Sequence, residues 1–526
     1  MPTAIPTPQS RCRMGGARCD ITPPVGIYHR MWGAATHDTS TGIHRRLTAT
    51  ALVFQSLTGE AGDDSEQILL AVDHCLLWHR EMDYVLDCIA EGAGVSRQRI
   101  VVTFSHTHAA GLMDIERAAL PGGDLIQPYL EELAARLATC VRQARETVQP
   151  VTIAYGLGRC NLAMQRDFFD EASGQYVCGP NPTAAADDTL LVARVSDEQN
   201  AAVATIVNYA CHPTTLAWAN TLISSDFPGA MREMVEESTS APCVFLQGAS
   251  GDLGPREGYV GDVAVADRNG RILGHAVLSV LEALPAPGTT FEYVGPVVSG
   301  ATLGDWSHRP LDDVEQGPLA YFRVKRLAVD LDKRPDLSTP AQTIAERDTW
   351  REKESQAQAE GDSAAARDAR AMIERLDRQL VRLAAMPPGT TFALPVTIWQ
   401  MGPAYWITVE GEPYNVLQKA LRGRFPGVPM VVSVLANGSR PFYLPPAGVY
   451  GRGIYQEEVA MLAPGTLERL IDAISNQLAG WQREWPAIQQ RLGAPDELLP
   501  VEDDMDETAE PEMTTAFQGF PEGRVD

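Results

Sequence analysis

The sequence predicts an α/β protein in which part of the β-sheet is parallel. Short runs of β-branched and aromatic residues at 48–54, 68–72 and 100–104 have the composition of buried strands. The segment after the second run repeats apolar residues with helical spacing, at Met82, Val85, Leu86 and Ile89. Strands that alternate with amphipathic helices in this way are typical of α/β layering.

The same pattern continues along most of the chain. Further strands are predicted at 151–155, 190–195, 203–210, 244–246, 396–399, 405–409 and 431–435. Helices are predicted around Leu133, Met231, Leu417 and Ile471. Residues 340–386 are rich in Ala, Arg, Glu and Gln and are divided by Gly361-Asp362, which predicts an inserted helical hairpin with a solvated face.

Three segments divide the chain. Residues 1–17 have no apolar periodicity and are expected to be a disordered N-terminus. Residues 18–494 are expected to form one catalytic domain that includes the hairpin. Residues 495–526 are acidic and contain proline, so they are expected to form a mobile tail.

Composition excludes several functional classes. The chain has 526 residues and a net charge of −25, so nucleic acid and anionic membrane surfaces would repel it. Its nine cysteines are scattered, without a Cys-x-x-Cys motif, which indicates a reducing compartment and no disulfide framework. The sequence shows no signal peptide and no long apolar span, so we expect a cytoplasmic protein without stable membrane insertion. An oligomer is compatible with all of this.

Histidines and carboxylates follow several predicted strands. His106 and His108 come directly after the strand at 100–104, and alternate residues of an extended chain face the same side. His212, Asp252 and Glu412 also follow apolar runs. Two imidazoles and a carboxylate are a standard catalytic zinc set, which lowers the pKa of bound water and polarises a carbonyl.

The glycine-rich loop at 247–255 has two other interpretations. The spacing of Gly248, Gly251 and Gly254 resembles a dinucleotide-binding loop, but Pro255 does not open the helix that such a loop requires. Ser250 could be a nucleophile on a sharp turn, although the second glycine of Gly-x-Ser-x-Gly is missing. Both interpretations are weaker than the zinc site.

Seven stretches, in order, resemble the neutral/alkaline non-lysosomal ceramidases. They are GIHRRLTATALVF, VVTFSHTHAAG, IVNYACHPTTL, LISSDFPGA, FLQGASGDLGP, WITVEGEP and LANGSRPFYLPPAGVYGRGIY. Together they span roughly residues 18–480. The resemblance implies mixed β-sheet layers flanked by helices, and hydrolysis of the amide bond of ceramide or a similar lipid amide in sphingolipid metabolism.

The resemblance also implies roles for individual residues. His106, His212, Glu412 and Tyr443 are similar to the family's zinc ligands. By the same resemblance, His108 would lie beside the metal and handle a proton or the substrate carbonyl. Tyr455 and Arg166 would support the oxyanion, and Asp252 is a further catalytic candidate. His44 lies in a family motif and is a substrate-binding candidate.

The chain departs from the family in ways that bear on the mechanism. Gly254 stands where the family's Gly-Asp-x-Ser-Pro stretch has serine, which disfavours a serine-dependent mechanism. The sequence shows neither the signal peptide nor the C-terminal β-sandwich domain of secreted relatives, and its hairpin differs. We therefore expect a zinc-dependent amidohydrolase, with a zinc-dependent ester or lactone hydrolase and a non-catalytic binding protein as the alternatives.

Overall fold

The computed structural model describes residues 3–57 and 65–493. The expected tail at 495–526 lies outside these residues. The helices are α1 (His79–Ala93), α2 (Ile126–Glu146), α3 (Asp226–Thr239), α4 (Val263–Ala283), α5 (Asp313–Gln316), α6 (Pro340–Glu360), α7 (Ser363–Ala385), α8 (Val416–Arg424), α9 (Tyr455–Val459) and α10 (Thr466–Leu492).

Strands occur along the whole described chain. The first twelve are β1 (Ala4–Ile5), β2 (Gln9–Asp20), β3 (Gly42–Ile43), β4 (Thr48–Gln55), β5 (Glu66–Val72), β6 (Ile100–Phe104), β7 (Gln149–Arg159), β8 (Ala163–Gln165), β9 (Asp167–Asp170), β10 (Gln175–Cys178), β11 (Thr189–Ser196) and β12 (Ala202–Tyr209). The others are β13 (Leu222–Ile223), β14 (Cys243–Gln247), β15 (Leu253–Pro255), β16 (Thr289–Ser299), β17 (Ala301–Pro310), β18 (Phe322–Asp332), β19 (Thr391–Met401), β20 (Ala404–Val409), β21 (Glu412–Pro413), β22 (Met430–Ser433) and β23 (Tyr443–Leu444).

The largest sheet has eight strands in the order β14-β12-β11-β7-β2-β4-β5-β6. Its two ends are parallel, because β5 pairs with β6 and β12 pairs with β14 in parallel, and the strands between them are antiparallel. The predicted α/β fold with a partly parallel sheet is confirmed.

A second sheet, β18-β19-β20-β22, packs against one face of the large sheet. The core between them contains Phe54, whose ring centroid lies 5.8 Å from that of Trp399 and 5.5 Å from that of Trp406. Helices α1 to α4 cover the outer face of the large sheet, and α8 and α10 cover the small sheet. The prediction of mixed sheet layers flanked by helices is confirmed.

The N-terminus differs from the expected disorder. Strand β2 lies inside the large sheet between β4 and β7, and Cys12 and Met14 on it are fully buried. Arg11 and Arg13 alternate with these residues, so the segment has little net hydrophobicity. Its strand structure depends on the neighbours that bury it from both sides.

The helical hairpin consists of α6 and α7, which pack against each other. Helix α7 is also fixed to the domain, since Arg117 Nη1 donates a hydrogen bond of 2.8 Å to the buried Glu374 carboxylate. Gly33 meets the same helix, where a Cβ on that glycine would lie 2.9 Å from Ala371 Cβ. The hairpin is therefore part of the domain's packing.

Residues 256–339 have no elements predicted from the sequence. The structure has α4, β16, β17 and β18 there. Among the described helices, none is both long enough and apolar enough to cross a membrane.

Substitution of Met14 tests whether β2 is ordered. Met14→Ala is expected to lower the free energy of unfolding by about 2–5 kcal/mol, because it leaves a cavity in the core. The matched control Arg13→Ala changes an exposed neighbour on the same strand and is expected to stay within about 0.5 kcal/mol. Urea unfolding measures both variants, and equal stability of the two would contradict the strand.

Candidate metal centre

His106 follows the carboxyl end of β6 and has a left-handed backbone conformation that residues other than glycine rarely adopt. Its φ is 69°, and its ring is buried. The backbone N–H donates to the carbonyl of His74 at 2.9 Å, and Nδ1 lies 2.6 Å from the carbonyl oxygen of Cys75. Both partners follow β5, so the parallel pairing of β5 and β6 sets the orientation of the imidazole.

His212 has an equivalent arrangement after β12. Its Nδ1 lies 2.9 Å from the carbonyl oxygen of Ser250, in the loop that follows the parallel neighbour β14. Its backbone N–H donates to the carbonyl of Leu253 at 3.2 Å. Each histidine therefore has its Nδ1 fixed by the loop of an adjacent parallel strand.

Glu412 enters the centre on a two-residue strand. Strand β21 pairs in parallel with β23, and the register places Glu412 beside Tyr443. The preceding Gly411 has a φ of 91°, and a Cβ there would lie 2.8 Å from the ring of Pro441. Glycine is thus required for the turn that brings this carboxylate and this phenol side by side.

Three side-chain atoms converge at one buried point. The two Nε2 atoms of His106 and His212 are 2.8 Å apart, and Glu412 Oε2 lies 3.2 Å from the first and 3.3 Å from the second. Because each Nδ1 faces a carbonyl, each neutral ring carries its proton there and presents a lone pair at Nε2. Two lone pairs and a carboxylate oxygen that face each other form a cation site.

Ionisation in the centre also suits a cation. Burial opposes ionisation of Glu412, but the charge of His106 and hydrogen bonds from both histidines hold its pKa well below the usual range. Burial and the charge of Arg166 lower the pKa of His212 to about 3. A metal binds deprotonated ligands, which is the state these shifts favour for the carboxylate and for His212. Although burial opposes this, Cys75 and the Glu412 carboxylate raise the pKa of His106 well above its usual range, so without a cation this ring holds the positive charge that a bound metal would replace.

Tyr443 and Arg166 form the next part of the site. The Tyr443 hydroxyl lies 3.4 Å from His212 Nε2 and accepts a hydrogen bond of 3.0 Å from Arg166 Nη2. Arg166 Nη2 also donates to the carbonyl of Gly251 at 2.8 Å. The structure therefore brings the phenol and the guanidinium to the three converging atoms.

His108 lies beside these atoms and carries a buried nitrogen without a partner. Its ring centroid is 4.9 Å from that of His106 and 5.5 Å from that of His212. Its Nε2 has no hydrogen-bond partner among the described residues. Burial, followed by the nearby histidine charges, lowers the pKa of His108 well below its usual range. The ring is thus neutral near neutral pH.

Aromatic residues border His108. The ring of Trp32 lies 5.2 Å from that of His108 and 5.7 Å from that of Tyr259. Trp218 stacks on Tyr259 at 6.3 Å and is 42% exposed. These three rings, which the sequence analysis did not assign to the site, make an apolar wall that reaches the surface.

The other predicted site residues lie at different distances from the centre. Tyr455 is half-exposed, with its ring 5.9 Å from that of Tyr443. Asp252 accepts a hydrogen bond of 2.6 Å from the backbone N–H of Asn415, so it orients the segment after Glu412. Burial raises the pKa of Asp252 to about 7.

His44 makes its contacts away from the converging atoms. Its Nδ1 lies 3.0 Å from Ser224 Oγ, and its Nε2 lies 3.2 Å from Asp267 on α4. Ser224 in turn accepts a hydrogen bond from Thr107. The contacts of His44 are those of a residue that packs α4 and the 224 turn behind the site.

Cys75 is the residue that sequence reasoning missed. Its carbonyl holds His106, and its thiol lies 3.5 Å from His106 Nδ1. Cys75, His106 and His108 also lie close enough to form a cation site. However, His106 Nδ1 donates its proton in the short hydrogen bond to the Cys75 carbonyl. This nitrogen therefore has no lone pair to offer a cation in the second set. The sequence signal that could have identified Cys75 is its position just after the end of strand β5, two residues beyond Asp73.

Ser250 supports His212 and does not form a nucleophile pair with it. The Ser250 carbonyl accepts a hydrogen bond from His212 Nδ1, and the Ser250 hydroxyl accepts one of 2.5 Å from Gln247 Nε2. The hydroxyl is 3.5 Å from the same, already committed Nδ1. His212 therefore cannot act as a general base for the Ser250 hydroxyl through Nδ1.

The first half of the chain matches a known protein family. Residues 12–256 match the family described as neutral/alkaline non-lysosomal ceramidase, N-terminal. Neutral ceramidase B of Dictyostelium discoideum is 22% identical over 290 residues, which cover 50% of this chain and 39% of that protein. Neutral ceramidase A of the same organism is 22% identical over 294 residues, with the same coverage. The chain thus spans about two fifths of the length of these relatives.

Solved ceramidase structures share the fold over a longer part of the chain. The neutral ceramidase of Pseudomonas aeruginosa matches with a TM-score of 0.58 and 16% identity, covering 95% of this chain and 76% of that one. A ceramidase complexed with C2 matches with a TM-score of 0.59 and 15% identity, covering 95% and 78%. The resemblance that the sequence motifs indicated is confirmed.

Removal of one converging histidine tests the cation site. His106→Ala is expected to weaken metal binding by more than about 100-fold, since even the loss of a residue that only orients a ligand costs 10–100-fold. His79→Ala, on the surface of α1, is the control and is expected to retain the metal. Metal analysis after dialysis measures both, and equal metal content would contradict the site.

Asp252 gives the stability a specific pH dependence. The folded state keeps this proton up to about pH 7, whereas the unfolded carboxyl loses it near its ordinary pKa of 3.8. The folded state binds more protons in this window, so this contribution to stability falls as the pH rises through it. Relative to wild type, Asp252→Asn is therefore expected to have a higher Tm above about pH 7 than near about pH 4. An unchanged difference across pH, as expected for the exposed control Asp124→Asn, would contradict the assignment.

Proposed function

We propose that this chain is a zinc-dependent hydrolase that cleaves the amide bond of an N-acyl lipid. The observation that carries the proposal is the convergence of two Nε2 lone pairs and the Glu412 carboxylate, with both Nδ1 atoms committed to carbonyls. The relatives are named neutral ceramidases, which suggests ceramide or a ceramide-like lipid amide as the substrate class.

His106, His212 and Glu412 would hold the zinc ion, with the Tyr443 hydroxyl as a fourth group. Two imidazole nitrogens and a carboxylate oxygen are the three protein donors that suit catalytic zinc, where water occupies a further position. When bound, zinc lowers the pKa of a water molecule and polarises a carbonyl oxygen.

Tyr443 and Arg166 are suited to stabilise negative charge on the substrate oxygen. Burial and the charge of Glu412 raise the pKa of Tyr443 well above its usual range, so its hydroxyl keeps the proton. Arg166 stays charged, because the pKa of its guanidinium lies well above the usual range although burial opposes this, and the hydrogen bond that it donates to Tyr443 favours the charged form. Buried donors fixed in advance stabilise a developing oxyanion strongly. Tyr455, beside Tyr443, can add a third donor.

His108 is suited to move a proton. Its neutral ring can accept a proton at Nε2, the buried atom without a partner, and then deliver it to the leaving amine. The wall of Trp32, Trp218 and Tyr259 next to His108 offers an apolar surface for the acyl portion of the substrate.

Substitution of His108 tests the proton transfer. His108→Gln is expected to lower kcat by about 10²–10⁴-fold while the protein keeps its metal, since the side chain handles a proton and is not a ligand. His79→Gln is the surface control. Loss of metal together with activity would instead make His108 a ligand, and full activity would remove it from the mechanism.

Matched substrates separate amide hydrolysis from its alternatives. Amide and ester compounds with the same acyl chain, ceramide among them, are assayed with and without a metal chelator. We expect amide turnover that the chelator abolishes and added zinc restores. Turnover of esters alone would favour the ester or lactone hydrolase, and a chelator that changes neither turnover nor Tm would favour a non-catalytic protein.

A further inference from the structure

Helix α7 of the inserted hairpin lies beside the candidate metal centre. Arg378 Nη2 donates a hydrogen bond of 2.6 Å to the carbonyl of Met31, next to Trp32 of the aromatic wall. Arg375 forms a 3.0 Å ion pair with Glu458 on α9, the helix that begins at Tyr455. The helix therefore bridges two segments that border the centre.

Buried arginines differ in how their charge is balanced. Among the described residues, five arginines are buried: Arg30, Arg117, Arg166, Arg232 and Arg382. Three of these pair with a carboxylate: Arg30 with Asp38, Arg117 with Glu374 and Arg232 with Asp73. Within the described residues, Arg166 and Arg382 have no carboxylate oxygen within 4.0 Å.

Arg382 on α7 is the less satisfied of the two. It is 4% exposed, and its Nε and Nη2 donate only to Gln379 Oε1 on the same helix, at 3.0 and 2.6 Å. The guanidinium also lies over the ring of Phe442 at 5.1 Å. Its Nη1 donates to none of the described residues. Burial, followed by the charges of Arg378 and Arg375 on the same helix, lowers the pKa of Arg382 to about 10. A buried guanidinium with no carboxylate beside it is costly unless an anion pairs with it.

Both unpaired arginines belong to the surroundings of the metal centre. Arg166 contacts Tyr443 and His212, and Arg382 lies over the ring of Phe442, whose carbonyl accepts a hydrogen bond of 2.8 Å from the backbone N–H of Glu412. Both guanidinium groups therefore contact the segment 442–443, Arg166 through the Tyr443 hydroxyl and Arg382 through the Phe442 ring.

We infer that Arg382 determines specificity by receiving an oxyanion of the substrate, a carboxylate or a phosphate, close to the scissile amide. The inference rests on the proposed function and narrows its substrate class from lipid amides in general to those that carry a negative charge, which neutral ceramide does not. Gln379 occupies the Nε side of the guanidinium, so the Nη1–Nη2 edge is available for a two-point contact. That planar edge matches carboxylate and phosphate oxygens.

Three substrates with one dodecanoyl chain test the inference. N-Dodecanoylglycine carries a carboxylate, N-dodecanoylethanolamine phosphate carries a phosphate, and N-dodecanoylethanolamine is neutral. Wild type is expected to show a kcat/KM at least about 10-fold higher for one of the anions than for the neutral compound. Arg382→Gln is expected to reduce this ratio about 10–100-fold, and Arg382→Lys is expected to restore part of it.

Arg375→Gln is the matched control on the same helix, because that arginine is already paired and is 41% exposed. It is expected to keep the wild-type ratio. The two anionic arms identify the source of the charge. A neutral compound that wild type prefers, or an Arg382→Gln variant that keeps the anion preference, would overturn the inference.

A binding measurement makes the test independent of turnover. N-Dodecanesulfonylglycine and N-dodecanesulfonylethanolamine cannot be cleaved at a carbonyl, and calorimetry gives their Kd for wild type and Arg382→Gln. If wild type binds the anion more tightly than the neutral compound and Arg382→Gln loses this preference, the inference is supported. If no amide is hydrolysed at the same time, the proposed function alone fails. Equal binding of both compounds by wild type overturns the inference.

Discussion

Two hydrogen bonds from imidazole to backbone determine which atoms meet at the candidate metal centre. Nδ1 of His106 faces the Cys75 carbonyl, and Nδ1 of His212 faces the Ser250 carbonyl. They fix the tautomer of both rings, so that both Nε2 lone pairs meet the Glu412 carboxylate at one buried point. Without a cation or a shared proton these atoms would repel each other. The parallel pairs β5–β6 and β12–β14, at the two ends of the large sheet, bring each histidine beside the carbonyl that it contacts.

The remaining groups divide into those that support the centre and those that face a substrate. Tyr443 is brought beside Glu412 by two short strands in register, and Arg166 is fixed by a carbonyl and by that phenol. These positions belong to the sheet framework. Arg382 comes from α7 of the helical hairpin, outside both sheets, and lies over the ring of Phe442, the residue before Tyr443.

Sequence patterns predicted the elements whose signal is local. The apolar runs before His106 and His212 are visible in the chain, and so is the turn that carries Glu412. Strand β2 was missed, because its arginines hide an alternation that only the neighbouring strands bury. The position of Arg382 was also not predictable, since charge alternation on a helix is the same whether one arginine faces solvent or a buried centre. Long-range packing decided both cases.

X-ray absorption at the zinc edge of the zinc-loaded protein tests the central claim most directly. The account predicts two imidazole nitrogens among ligands at about 2.0–2.1 Å, with only nitrogen and oxygen in the first shell. A sulfur ligand at about 2.3 Å would show that Cys75 binds the metal, and the lone-pair argument would then be wrong. A spectrum without imidazole scattering would contradict the assignment of His106 and His212.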